Sequence, residues 1–277
     1  MRNDPSFIEL KARQRAKALL DDGSYRELLD PFEELISPWL GPQGIVPQAD
    51  DGMVVAKGTI NGKPSVVIAI EGAFQGGSMG EVSGAKMAAA LELAAEDNRN
   101  GIPTQAVLCL ETGGVRLQEA NLGLAAIADI HAAIVDLRQY VPVVGIVAGT
   151  VGCFGGMSIA AALCSYLIVT REARLGLNGP QVIEQEAGIE EYDSRDRPFI
   201  WSMTGGEVRY QSGLVDALVG DGVNAVKQAM NDMLDKGVRS EERTDKYPWF
   251  LEHLTNFDTR QQADAARINA FFAGEEK

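Results

Sequence analysis

Residues 141–170 carry no charged side chain. In water a run like this must be buried, and it is long enough to cross a bilayer. It even repeats the small-residue spacing of packed membrane helices, at Gly145/Gly149 and Gly152/Gly156. Pro142 and five glycines interrupt it, however, and β-branched residues crowd its first part (Val141, Val143, Val144, Ile146, Val147). A buried strand, a glycine turn and a buried helix explain the pattern better than a membrane span.

Elements of the same kind surround this run. Residues 53–60 and 64–70 read as strands joined by an Asn61-Gly62 hairpin turn. A loop carrying Gly72, Gly76, Gly77 and Gly80 leads into an alanine-rich helix, 84–96. The apolar strand 105–110 ends at Thr112-Gly113-Gly114, and a helix is expected over 118–140. The unit then repeats: strand 143–148, glycine loop 149–156, helix 157–164. Short strands at 167–170 and 174–177, a helix from near Gln181, an edge strand within 213–219 and a helix over 223–236 complete the pattern. Upstream, Ser6 with Glu9 fits a capping box opening a basic helix (Lys11, Arg13, Arg15, Lys17), and residues 25–29 read as a short helix. Residues 184–196 hold six acids against one arginine and suit a solvated loop or lid. The fold class is therefore α/β, with helices around a mainly parallel sheet core. The expected division is 1–51, an N-terminal helical arm; 52–236, the core; and 237–277, a polar, partly helical tail.

Charge and composition narrow the function. The 277 residues hold 25 Lys and Arg against 39 Asp and Glu, a net charge of −14. That balance opposes nonspecific binding to nucleic acid and docking on anionic membrane. A chain of this length builds a core without covalent staples. Its three cysteines (Cys109, Cys153, Cys164) form no C-x-x-C pair, and His131 and His253 stand far apart, so no zinc site is expected. The first residues lack an apolar leader, which suggests a cytoplasmic protein.

Familiar catalytic patterns are missing. No serine sits in G-x-S-x-G, no lysine completes a P-loop, and no G-x-G-x-x-G follows a strand. Cys109 falls in a core strand; Cys153 falls in a glycine loop that can expose it, but no histidine stands ready to activate it. What remains is glycine pairs at strand ends. Gly113-Gly114 and Gly155-Gly156 each precede a helix, where backbone N–H groups are free to bind an anion. Two such turns converging make an oxyanion hole suited to a thioester carbonyl that becomes an enolate. Tight turns alone would also explain the glycines.

At these positions the chain resembles the carboxyltransferase branch of the crotonase superfamily. Residues 19–25 (LLDDGSY) resemble that family's LLD-x-GSF segment, and 60–64 (INGKP) with 76–80 (GGSMG) resemble INGRP and GGSMG. Residues 112–119 (TGGVRLQE) resemble SGGARMQE, and 152–156 (GCFGG) the second glycine loop. Residues 179–185 (GPQVIEQ) and 213–216 (GLVD) resemble GPRVIEQ and GLVD. The resemblance spans about residues 11–235. Within the branch the chain is most similar to the beta-subunit family of biotin-independent malonate decarboxylases. It lacks the four-cysteine ribbon of acetyl-CoA carboxylase beta subunits, replaces the usual Ser and Ala with Thr112 and Val115, and holds what looks like an insertion at 195–209.

The resemblance implies a crotonase-like ββα superhelix and a subunit that decarboxylates a malonyl group. It implies a gamma subunit of related fold as heterodimer partner and an acyl carrier protein that presents the substrate on a CoA-like prosthetic group. No cofactor would be bound directly, and no metal. The glycines Gly113, Gly114, Gly155 and Gly156 become the candidate enolate site. Arg116, Glu119, Gly76, Gly77 and Ser78 become candidate substrate contacts, with Arg116 and Glu119 equally suited to structural roles. The acidic carrier protein would need a basic surface, from the partner or from the first helix. A biotin-dependent carboxyltransferase, a hydratase-type crotonase enzyme and a noncatalytic scaffold are the competing expectations.

Overall fold

The computed structural model describes residues 4–258, 260 and 265–273. Seven strands form one sheet in chain order: β1 (Arg26–Leu28), β2 (Met53–Ile60), β3 (Lys63–Ile70), β4 (Gln105–Cys109), β5 (Val143–Val147), β6 (Tyr166–Thr170) and β7 (Ala217–Val219). The first three are antiparallel neighbours and β3 to β7 run parallel. Asn61 and Gly62 join β2 to β3 with φ of 51° and 75°, as a two-residue hairpin turn requires.

The helices are α1 (Ala12–Leu19), α2 (Glu81–Arg99), α3 (Asn121–Leu137), α4 (Gly156–Leu163), α5 (Pro180–Ala187), α6 (Arg197–Thr204), α7 (Gly206–Gln211), α8 (Val223–Asp235), α9 (Tyr247–Asn256) and α10 (Ala265–Ala273). Alternation along the strands splits the core in two. Val66, Ile68, Ile70 and Leu108 face Met87 and Leu91 of α2, Ile130 and Ile134 of α3, and Met157 of α4. Val67, Ala69, Val107 and Ile146 face Ala16 and Leu19 of α1 and Met230 and Leu234 of α8. The uncharged run thus becomes β5, a turn, α4 and β6, inside the layered core. No described helix is long and apolar enough to cross a membrane.

Several local expectations change. Residues 25–29 are not helical: Arg26, Glu27 and Leu28 pair with Lys57, Ala56 and Val55. Long-range pairing outweighs helix propensity there, and Arg13 fixes Glu27 through Nε at 3.0 Å and Nη2 at 2.8 Å. The buried Lys86 ammonium then ties the end of β1 to the start of β2, donating to Leu29 O (2.9 Å), Asp50 O (3.2 Å) and Met53 O (2.6 Å). Ser6 keeps half of its expected box, accepting from the Glu9 N–H at 3.2 Å, but the helix starts only at Ala12. Residues 174–177 form isolated bridges, to Gly205 and Cys153, rather than a strand. The helix after Gly114 is broken at Ala120 (φ 47°), so a short 3-10 turn precedes α3. Residues 184–196 are the end of α5 and an exposed turn, except that Tyr192 is buried. The segment 195–209 carries α6 and most of α7.

Candidate active site

Three glycine segments meet beyond the carboxyl ends of β3, β4 and β5, the edge where open α/β sheets bind ligands. The Gly113 N–H donates to Gly76 O (2.9 Å), the Met79 N–H to Gly114 O (2.7 Å) and the Arg116 N–H to Met79 O (2.8 Å). On the other side, the Thr112 N–H donates to Gly152 O (2.7 Å) and the Phe154 N–H to Thr112 O (3.0 Å). The contacts are too close for side chains. A Cβ on Gly114 (φ +102°) would lie 2.9 Å from Phe154 O, and one on Gly77 (φ +66°) would lie 1.9 Å from Glu111 O.

The two glycine pairs named from the sequence are therefore brought together, but their N–H groups are mostly committed. Gly113 donates to Gly76 O, Gly114 to Thr112 Oγ1 (3.0 Å) and Gly155 to Leu177 O (2.7 Å). Val115 and Gly156 are different: among the described residues neither N–H has an acceptor. Gly156 opens α4, where the first N–H groups have no intrahelical acceptor. A Cβ on Gly155 would come within 3.8 Å of Val115 N, so the turns bearing these donors adjoin.

Both donors belong to peptide units held from behind. The carbonyl paired with the Val115 N–H is Gly114 O, which accepts from Met79 at 2.7 Å. The carbonyl paired with the Gly156 N–H is Gly155 O, which accepts from the Ser158 N–H (3.0 Å) and Ser158 Oγ (2.7 Å). The next carbonyl, Gly156 O, lies 2.8 Å from His131 Nε2. Donors fixed and polarised in this way need little reorganisation when negative charge develops in front of them. Sequence reasoning found the turns but not Val115; the signal was only its place directly after a glycine pair.

The other named residues build the scaffold. Arg116 is 1% exposed. It pairs with Asp51 Oδ1 (2.7 Å) and Glu119 Oε1 (3.0 Å), donates to Ser78 O (2.8 Å) and Ser78 Oγ (3.3 Å), and lies over the Phe74 ring. Glu119 also accepts from Ser37 Oγ (2.5 Å) and, through Oε2, from the Glu81 N–H (2.5 Å), which caps α2. Asp51 accepts from the Ser83 N–H at 2.9 Å. Burial pushes the Asp51 carboxyl up, and Arg116 opposes that shift. Gly76 and Gly77 (φ 63° and 66°) shape the loop that ends at Ser78.

A second buried pair stands behind the site. Arg15 Nη1 meets Glu111 Oε2 at 2.7 Å, and Glu111 Oε1 accepts from the Val151 N–H at 2.9 Å. A Cβ on Gly149 would fall 1.8 Å from Glu111 Oε2. This use of Arg15, and that of Arg13 with Glu27 and Asp50, dismantles the expected basic patch: of its four cations only Lys11 and Lys17 are exposed. Cys153, expected in an exposable loop, is buried because Thr112 and Leu175 bridge to it on either side. Among the described residues no three His, Cys, Asp or Glu side chains could share a metal.

Comparison with known proteins gives the family. Residues 9–243 match the carboxyl transferase domain family, and the chain belongs to it. More narrowly, it is 67% identical to a chain of a Pseudomonas malonate decarboxylase hetero-tetramer solved in complex with malonate, with a TM-score of 0.95 over 97% of this chain and 98% of that one. It is 58% identical to a chain of the Pseudomonas MdcD-MdcE hetero-dimer of malonate decarboxylase (TM-score 0.77; 91% of this chain, 97% of that one). It is 40% identical over 243 residues to the malonyl-S-ACP:biotin-protein carboxyltransferase MADC of Malonomonas rubra, covering 84% of this chain and 76% of that protein. These matches bear out the malonate decarboxylase resemblance carried by the motifs.

Proposed function

We propose that this chain is the subunit of a malonate decarboxylase that converts a malonyl thioester on an acyl carrier protein to the acetyl thioester and CO2. The observation that carries this reading is the pair of unpartnered N–H groups, Val115 and Gly156, on two adjoining glycine turns. The thioester oxygen sits between them. The carbon–carbon bond to the carboxylate breaks, its electron pair moves into the thioester, and CO2 leaves. The resulting enolate oxygen is held by the two donors, and protonation at carbon gives the acetyl thioester. A preorganised donor of this kind is worth roughly 3–4 kcal/mol in the transition state. Gly113, Gly114 and Gly155 serve by letting the turns approach, not by donating. Arg116, Glu119 and Ser78 fix the first turn, and Gly76 and Gly77 form its floor.

A gamma subunit of related fold completes the enzyme, consistent with the hetero-dimer and hetero-tetramer of the Pseudomonas relatives. The carrier protein presents the malonyl group on a CoA-like arm, and the chain works in the cytoplasm. With Arg13 and Arg15 engaged internally, the surface that receives an acidic carrier comes chiefly from the partner. The test is turnover of malonyl carrier protein by the complex, with and without avidin. Acetyl thioester formed equally in both supports the biotin-independent decarboxylase. Loss of product with avidin would shift the assignment to a biotin-linked carboxyltransferase.

A further inference from the structure

Beside the first turn of α4 lies a cavity of about 230 Å³. Ala162, Leu175, Leu177 and Leu214 give it largely apolar walls, and Ser158 stands at its edge. Ser158 and Leu177 are also the residues that hold Gly155, through its carbonyl and its N–H. The cavity therefore adjoins the turn that presents the Gly156 N–H.

Two guanidinium groups line this cavity, and they differ. Arg243 is paired with an acid, Asp216 at 2.6 Å, and donates to the carbonyls of Ala162 (2.8 Å) and Cys164 (3.0 Å). Arg209 donates from Nε to Leu175 O at 2.8 Å, and among the described residues its side chain has no other hydrogen bond and no carboxylate partner. Burial works against its charge, and among the described residues Tyr192 is the group that opposes that shift. The Tyr192 hydroxyl is itself buried without a partner among the described residues, and it feels the charges of Arg174 and Arg209. Arg174 is turned to the carbonyls of Thr150 and Val151 and to the Phe154 and Trp201 rings. Arg209 is half-buried, and a cation drawn partly out of water without a counter-charge carries a cost that a ligand's negative charge would offset.

We infer that Arg209 binds the free carboxylate of the malonyl thioester, in the cavity flanking the Gly156 turn. This rests on the decarboxylase reading. With Nε anchored on Leu175, the two Nη groups present parallel donors that suit one carboxylate. The substrate is then held at both ends, thioester oxygen at Val115 and Gly156, carboxylate at Arg209. The apolar walls strip water from the carboxylate. When the carbon–carbon bond breaks, the electron pair goes to the enolate and neutral CO2 leaves a guanidinium that stays protonated. The acetyl product offers Arg209 nothing to bind, so the site discriminates substrate from product by charge.

The test uses the complete complex and two probes: acetyl-pantetheine, and a pantetheine thioester whose acyl group ends in a sulfonate, which cannot lose CO2. Calorimetry on wild type, Arg209→Met and Arg209→Lys reads affinity without turnover. Arg209→Met should weaken the sulfonate probe about tenfold or more, as loss of a charge-assisted bond does, and leave acetyl-pantetheine unchanged. Arg209→Lys should fall between. Equal affinity of wild type and Arg209→Met for the sulfonate probe would overturn the inference. Equal weakening of both probes would do so too. Weaker association with the partner subunit in sedimentation would instead assign Arg209 to a carboxylate of the partner. Failure of the decarboxylase reading shows separately, as absence of malonyl turnover by the wild type.

Discussion

Replacing Arg116 with Met should destabilise the chain by about 3–5 kcal/mol near neutral pH, the usual cost of removing one partner from a buried ion cluster. The structure sets the terms. Arg116 is the cation that serves Asp51 at 2.7 Å and Glu119 at 3.0 Å, deep between α2 and the Gly114 turn. Met matches much of the stem, so the lost volume is small; the effect comes from stranding two carboxylates. Glu119 retains Ser37 and the Glu81 N–H, and Asp51 retains the Ser83 N–H, which limits the loss. The Asp51 carboxyl is already raised by burial, and Arg116 is the largest influence holding it down. Without it the folded-state value rises further above the unfolded one. Stability tied to a raised carboxyl is present at low pH and lost as pH rises through the folded value. The defect should therefore be larger at pH 8 than at pH 5. Urea unfolding at both pH values measures it, and Arg116→Met/Asp51→Asn should recover part of the loss. A defect under 1 kcal/mol, about the worth of an exposed pair, or one that grows toward acid, would refute the reasoning.

Three further outcomes are expected. Ser158→Ala should lower kcat several-fold with KM little changed, because it removes one of two bonds to Gly155 O, worth about 1 kcal/mol, while Ser158→Thr restores most of the rate. Gly149→Ala should cost about 3 kcal/mol or more in chemical unfolding, since the new methyl must displace the Glu111 carboxylate from Arg15 and Val151. All three thiols should resist a disulfide reagent at pH 8 until the protein unfolds: burial pushes Cys109 and Cys164 up to about 12, and Cys153 well above its ordinary value.

The sheet was legible because its strands are long, apolar and punctuated by glycine. Residues 53–70, with Asn61-Gly62 between two apolar, β-branched runs, could hardly do anything else. Residues 25–29 misled because a three-residue edge strand has no period of its own; it exists only through Val55 to Lys57 of the neighbour. The glycine turns were visible, yet which N–H groups remain free was not. That depends on Thr112 Oγ1, Gly76 O and Leu177 O, acceptors fixed by tertiary structure. Arg116 and Glu119 stood close to the glycines in sequence and drew attention as substrate contacts, but their burial against Asp51 and Ser37, far upstream, could not be read there. Arg209 carried no local signal, since an arginine stands out only once the fold draws it in from solvent with no acid beside it.

The central claim is that the Gly156 N–H stabilises the enolate, and the most direct measurement compares Gly156→Ala with Gly156→Pro in the assembled complex. Gly156 is the first residue of α4, a position that accepts proline. Both variants place a carbon against the flexible Ile127 side chain, at 2.8 Å, but only proline removes the N–H. With folding and assembly checked by circular dichroism and sedimentation, kcat for malonyl thioester decarboxylation should be about 100-fold or more lower in the proline variant than in the alanine variant. Equal rates in the two would contradict the account.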